Sequence, residues 1–290
     1  MSLVLREVGP RDGLQAESPV DVGERVRLIA ALVAAGLSDI EAVAFVSPRS
    51  VPSMAGATEV MAAVERAPGV RYWALVPNVR GAEMAVAAKV DGLSVTVSAS
   101  AAYNEKNVHM SIDESVDAVA GIAKVADGAL PIDAVVSCAF GSPYEGDIAV
   151  ATVRSLARRL LDAGATSLTF ADTTGMATPP RITAVLDSAG TDVGLHLHET
   201  QGTGLVNAFA AWEAGVRRFD TSVGGLGGSP FAEGAAGNLA TEQLVYLLDE
   251  LGVPTGVDLA RLLEACRLAE AMVGHPLPSA VARAGPRLSG

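Results

Sequence analysis

Two histidines separated by one residue, His196-Leu197-His198, are a place where chemistry could concentrate. Side chains alternate along a strand, so a strand through this triplet puts both imidazoles on one face. Two imidazoles on one face are a ready pair of metal ligands. Half of the four histidines of the chain lie here. A pair of hydrogen-bonded core histidines is the competing reading. A second cluster, Glu7-Val8-Gly9-Pro10-Arg11-Asp12-Gly13-Leu14-Gln15, stands near the start. In it two carboxylates and a guanidinium meet at a turn set by Gly-Pro and Asp-Gly. A solvated turn with a surface ion pair would look the same.

A third cluster is Gly224-Gly225-Leu226-Gly227-Gly228-Ser229-Pro230, with Gly234-Ala235-Ala236-Gly237-Asn238 close behind. Paired glycines let a loop approach a ligand closely, or simply make it flexible. No Lys-Ser/Thr follows, so this is not a P-loop for phosphate. Asn238 can offer an amide oxygen to a hard cation. Asp12, His196, His198 and Asn238 together would make a mixed nitrogen and oxygen site. Lacking a thiolate, it suits Mg²⁺, Mn²⁺ or a similar six-coordinate ion better than structural zinc.

These clusters must be positioned by regular elements. Eight strand candidates read at 3–7, 39–44, 71–76, 92–98, 133–139, 167–171, 194–198 and 218–223. Helical patterns lie between them, as at 22–35, 57–66, 112–126, 149–163, 203–214 and 240–251. A strand-then-helix pattern repeated about eight times predicts an α/β chain closed as a (β/α)8 TIM barrel; a doubly wound open sheet is the alternative. We expect one domain over 1–290, with 258–290 as an extra C-terminal helical segment. Barrel enzymes carry their chemistry at the carboxyl ends of the strands. The cluster that starts at Glu7 and the glycine-rich cluster follow strand candidates one and eight, and the histidines stand at the end of strand candidate seven.

Composition narrows the function classes. Among 290 residues, 50% are hydrophobic and only 4% aromatic, so the core must be mostly Ala, Val and Leu. A net charge of -12 argues against non-specific binding to nucleic acid or to a membrane surface. Cys138 and Cys266 fit no zinc spacing and no disulfide framework, which points to a reducing cytoplasm. The first residues run straight into a strand pattern with no signal-peptide pattern, and no apolar run is long enough to span a bilayer.

The three clusters together resemble the 3-hydroxy-3-methylglutaryl-CoA lyase family. The resemblance is carried by Val8-Gly9-Pro10-Arg11-Asp12-Gly13-Leu14-Gln15, Phe45-Val46-Ser47-Pro48 and Pro77-Asn78. It continues in Pro143-Tyr144-Glu145-Gly146 and Gly237-Asn238-Leu239-Ala240-Thr241-Glu242. It runs from about Leu5 to about Leu263. It implies a barrel, a homodimer, a divalent cation and an acyl-CoA substrate, with no nucleotide cofactor beyond the CoA of that substrate. Asp12, His196, His198 and Asn238 match the family's metal ligands. Arg11 matches the arginine that stabilises an enolate on the thioester oxygen. Glu41, Asp172 and Glu242 match acidic positions near the site. Glu7 is expected to orient Arg11, with Gln15 alongside. The implied reaction is a retro-Claisen cleavage to a keto acid and an acyl-CoA.

The chain departs from that family in its glycine-rich loop. The family reads Gly-Gly-Cys-Pro, and the cysteine there is thought to exchange a proton with the enolate carbon; this chain has Ser229. A thiol titrates near pH ~8.5, whereas an unactivated hydroxyl does not trade protons comparably near neutrality. Loss of such a group without replacement would slow turnover by about 10²–10⁴-fold. Ser142 stands where a second family cysteine is often found, and Glu199 where the family usually has Asp. Three enzymatic readings follow: a slower lyase on the same thioester, a lyase for a related one such as citramalyl-CoA, or an aldolase or synthase on a free keto acid. A barrel that binds without catalysing draws support only from Ser229. Arg49, Arg80 and Lys106 follow strand candidates two, three and four and are expected to bind the CoA moiety. Solvated loop charges are the competing reading.

Overall fold

Short Val- and Ala-rich runs with buried residues on both faces form parallel strands when helices cover the outside. The computed structural model describes residues 3–229 and 232–285, with the side chains of 228–236 outside the described part. Its strands are β1 (Val4–Glu7), β2 (Asp39–Ala44), β3 (Arg71–Leu75), β4 (Gly92–Ser98), β5 (Ile132–Ser137), β6 (Ser167–Ala171), β7 (Gly194–His196) and β8 (Arg218–Thr221). They pair in sequence order, all parallel, and β8 returns to β1 to close the barrel. The fold is thus the expected (β/α)8 barrel. A doubly wound sheet is excluded by the β1–β8 ladder, in which Arg6 faces Asp220 and Glu7 faces Thr221.

The helices between strands are α1 (Val22–Ala34), α2 (Ala57–Ala63), α3 (Val79–Ala87), α4 (Ala101–Val108), α5 (Ile112–Ala126), α6 (Val150–Asp162), α7 (Pro179–Ala189) and α8 (Gly204–Glu213). After β8 come a short hairpin, β9 (Gly228–Ser229) and β10 (Ala232–Ala236), then α9 (Thr241–Glu250), α10 (Leu259–Val273) and α11 (Ala280–Ala284). In α6 the buried residues Val153, Leu156, Ala157 and Leu160 fall at i, i+3, i+4 and i+7, so one stripe meets the barrel. α5 starts at a reciprocal cap between Ser111 and Glu114. α7 starts on Pro179-Pro180, where a missing amide costs nothing.

The apolar core lies between the barrel and its helices, with Leu28, Ile40, Val60, Ile122, Leu160, Phe170 and Phe219 all fully buried. The inside of the barrel is different. Arg6, Asp133 and Asp220 are buried there, no more than 4% exposed. Charge at such depth must be paired, and it is: Arg6 reaches Asp220 and Asp133, each at 2.8 Å. Among the described residues no helix is long and apolar enough to cross a membrane.

Candidate metal and active site

The site begins where β1 ends. The amides of Arg11, Asp12 and Gly13 all turn back onto the carbonyl of Val8, at 3.1, 2.7 and 3.2 Å. This single wide turn, Gly9–Gly13, presents Arg11 and Asp12 side by side. The Arg11 guanidinium donates to Glu41 from Nε at 2.5 Å and to Asp12 Oδ1 from Nη1 at 2.6 Å. Glu41 comes from β2, the neighbour of β1, so adjacent strands clamp the arginine. Burial pushes the Asp12 carboxyl up, but Arg11, His196 and the Asn238 hydrogen bond outweigh it and hold it at about 2.

On the other side of the closure, β7 delivers the histidines. His196 ends the strand and His198 lies just past it, and their Nε2 atoms approach to 3.1 Å. The same-face expectation holds. Asn238, forty residues on, is brought in by a strand-like segment running beside His198. Leu239 N donates to Leu197 O at 2.9 Å, and Glu199 N donates to Gly237 O at 2.6 Å. Ser222 N donates to Leu239 O, which ties the same segment to the end of β8. Gly227, at φ +107, lets the chain pass close by, because a Cβ there would come within 2.6 Å of Asn238 Nδ2.

The Asp12, His196 and His198 donor atoms all lie within 4.8 Å of one another, the metal-compatible cluster found among the described residues. Burial, then the charge of His196, holds His198 down at about 3, so its ring stays neutral with a lone pair to give. Among the described residues, His198 Nδ1 and Asn238 Oδ1 in this cluster are buried without hydrogen-bond partners. Two imidazole nitrogens facing each other beside a carboxylate and an idle amide oxygen fit a hard divalent cation with open positions for water or substrate. Asn238 itself meets Asp12 through its nitrogen, Nδ2 to Oδ2 at 2.8 Å, rather than through its oxygen.

Asp172 follows β6, and its amide donates to His196 O at 2.8 Å. Its Oδ1 accepts from Ala177 N at 2.9 Å, and its buried Oδ2 has no hydrogen-bond partner among the described residues. Burial raises this carboxyl to about 6 despite those amides and His196.

The expected role of Glu7 is corrected. Glu7 does not orient Arg11; its carboxylate accepts from Gly9 N, Val223 N and Thr241 Oγ1, and Glu41 holds Arg11 instead. Glu7 points away because the turn folds its own amide of Gly9 onto that carboxylate. Gln15 is exposed, and its carbonyl accepts from Ser53 Oγ. Glu242 lies at the start of α9 and takes the amide of Gly224 at 2.9 and 3.0 Å. Cys266 packs under that same turn, where a Cβ on Gly224 would meet its sulfur at 3.0 Å. Cys138 is buried at φ +54 past the end of β5, its thiol pushed up to about 11 by burial. The side chain of Ser229 lies outside the described residues. Arg49, Arg80 and Lys106 are exposed in segments that follow β2, β3 and β4, and the Lys106 ammonium sits 3.7 Å from the centre of the Tyr144 ring. Sequence reading missed Asp220 and Arg6, which contact or support His196 from within the barrel. Their signal was charge inside strand candidates of a barrel whose interior is otherwise closed to water.

A closed parallel barrel with imidazole, carboxylate and guanidinium gathered at the carboxyl ends of its strands is the frame of a barrel lyase. The sequence matches the HMGL-like family over residues 2–269, and the chain belongs to that family. It is 41% identical to the (R)-citramalyl-CoA lyase of Chloroflexus aurantiacus, over 98% of this chain and 95% of that one. It is 45% identical to the mitochondrial hydroxymethylglutaryl-CoA lyase of Mus musculus, over 89% of this chain and 82% of that one. Its structure matches an HMG-CoA lyase from Acinetobacter baumannii, solved in complex with coenzyme A and 3-methylmalate, with a TM-score of 0.94 and 40% identity over 100% of this chain and 97% of that one.

Proposed function

We propose that this lyase cleaves the C2–C3 bond of 3-hydroxy-3-methylglutaryl-CoA, giving acetoacetate and acetyl-CoA, with Mg²⁺ or Mn²⁺ held by Asp12, His196 and His198 beside Asn238. The observation that carries this is the convergence of those side chains with Arg11 from segments nearly two hundred residues apart in the sequence. When bound, such a cation supplies Lewis acidity and a template for two substrate oxygens.

The protein's own groups do the rest. Asp172, with a free buried oxygen and a carboxyl raised to about 6, takes the proton of the C3 hydroxyl. The C2–C3 electron pair moves onto the thioester as the C3–oxygen bond becomes a carbonyl. Arg11 meets the charge that develops on the thioester oxygen. Its contacts to Glu41 and Asp12 leave N–H bonds on Nη1 and Nη2 for that oxygen. A proton then returns to C2. Glu41 keeps Arg11 aimed, and Glu7 and Glu242 hold the turns that flank the site.

A second reading has its own support: the citramalyl-CoA lyase relative matches over nearly the whole of both chains. Acetyl-CoA release should be followed on both thioesters in metal-free enzyme, with EDTA, and with Mg²⁺ or Mn²⁺ restored. We expect release from the methylglutaryl thioester that vanishes with EDTA and returns with either ion. Faster release from the citramalyl thioester moves the assignment to the second reading, and release from neither in ion-replete buffer removes both. Ser229→Cys should raise the rate on the true substrate, because a thiol exchanges protons near neutrality far better than a hydroxyl. An unchanged rate assigns the return of the proton to another group.

A further inference from the structure

We infer that Asp220, locked by Arg6, is a positioning residue that fixes the ring of His196 so that Nε2 faces the cation site. This rests on the cation site proposed above. The placement is set by strand register. Arg6 of β1 is the partner of Asp220 of β8, and Asp220 is the partner of His196 of β7. Register partners in a parallel ladder point to the same side, so the three side chains form one row inside the barrel.

Within that row every contact has a direction. Arg6 donates twice to Asp220, Nε to Oδ1 and Nη2 to Oδ2, both at 2.8 Å. A two-pronged pair of this kind fixes the plane of the carboxylate as well as its place. Asp220 Oδ2 then lies 3.3 Å from His196 Nδ1. Both Asp220 and Arg6 are nearly sealed from water, 4% and 3% exposed. An ionised carboxylate only accepts hydrogen bonds, so Nδ1 must be the donor. With Nδ1 turned to Asp220, Nε2 is the nitrogen left to face the cation site, and it lies 3.1 Å from His198 Nε2 and 3.9 Å from Asp12 Oδ2.

Arg6 is itself anchored. Its Nη2 also meets Asp133 Oδ2 at 2.8 Å, and Asp133 accepts from Ser167 Oγ and Thr169 Oγ1, each at 2.7 Å. The chain of contacts therefore runs from β5 and β6 through β1 and β8 to the ligand on β7. His198 has no equivalent among the described residues, where its buried Nδ1 meets no hydrogen-bond partner. Of the two imidazoles, only His196 has a carboxylate behind it among the described residues.

The test is Mn²⁺ binding, titrated on metal-free wild type, Asp220→Asn and Asp133→Asn, with thermal melting of each metal-free protein. Outer partners of this kind typically change metal affinity by about 10- to 100-fold. Asp220→Asn should weaken Mn²⁺ by that amount. Asp133→Asn should lower the melting temperature and leave the affinity within about threefold of wild type, because Asp133 does not touch His196. Equal binding by wild type and Asp220→Asn overturns the inference. So does equal weakening by both variants, which would mean general loosening of the barrel interior. Wild type that binds no Mn²⁺ removes the cation site itself, a distinguishable failure. Should Asp220→Asn not fold, nitrogen chemical shifts of His196 in Mg²⁺-loaded wild type decide. A proton on Nδ1 supports the assignment, and a proton on Nε2 overturns it.

Discussion

Two groups of carboxylates in this barrel, of which Asp12 is partly buried and Asp220, Glu7 and Glu242 are buried, differ in what faces them. Asp12 and Asp220 lie against guanidinium and imidazole. Glu7 and Glu242 lie against backbone amides and a hydroxyl. Burial pushes all four toward the neutral acid. At Asp220 the charge of Arg6 overrides burial and holds the carboxyl below its ordinary range, and Arg11 does the same at Asp12. At Glu7 the hydrogen bonds only moderate burial, and the carboxyl rises to about 7; Glu242 rises to about 8. A full charge nearby, rather than the number of hydrogen bonds, decides which buried acid stays ionised. The first group can serve cation binding at neutral pH. The second shapes the loops: Glu7 joins the Gly9 amide of the first turn to the Val223 amide of the last, and Glu242 takes the Gly224 amide next to it.

Removing the cation from the first group should break the contrast most sharply. Arg11→Met strips the guanidinium from Asp12 and Glu41 and from the substrate oxygen. Turnover on the thioester that wild type cleaves should fall by about 10²–10³-fold, as for loss of one preorganised donor. A drop of less than tenfold in steady-state kinetics would remove Arg11 from the charge-stabilising role.

The second group should show itself in stability against pH. For Glu7 and Glu242 the folded protein holds a proton to higher pH than the unfolded chain, so stability falls as pH rises from about 4.5, the ordinary glutamate value, toward about 7 and about 8. Asp12 works the other way: its contribution is present above the ordinary value of 3.8 and is lost as pH falls toward about 2. The stability contributed by a carboxyl shifted like Glu7 should therefore decline between pH 5 and pH 8 by on the order of 3 kcal/mol, which pulls the melting temperature down over that range. Glu7→Gln, whose amide can still meet Thr241, should flatten the lower part of that decline. An identical slope in the variant would contradict the picture of a neutral buried acid.

Exposed cations should give the smallest effect. Lys106, Arg49 and Arg80 are solvated, and charges there act through water and salt. Replacing each by Ala should raise KM for the thioester by about 2- to 5-fold with kcat nearly unchanged, if they meet the CoA moiety. A fall in kcat at constant KM would reject that role.

Much of this was legible in advance. Eight short, mostly apolar runs located all eight strands, although buried charges such as Arg6, Asp133 and Asp220 interrupt them where they line the barrel interior. Several runs overshoot the ladder: 133–139 against Ile132–Ser137, 194–198 against Gly194–His196, and 218–223 against Arg218–Thr221. Burial continues past the last paired residue, since the strand ends pass under the loops of the site. Cys138 shows why pairing stops there, its backbone turning to φ +54. His196 and His198 were placed on one face by alternation alone.

What sequence by itself determined was therefore the list of reactive groups, the parallel barrel that carries them and the end of the barrel where they stand, because residue type and apolar period are local properties. Which group faces which was decided only by tertiary structure. Glu41 rather than Glu7 holds Arg11, Asp220 stands behind His196, and Asn238 turns its nitrogen to Asp12. Each of these depends on strand register or on barrel closure, in which residues as distant as Arg6 and Asp220 become neighbours. No local pattern in the chain encodes that distance.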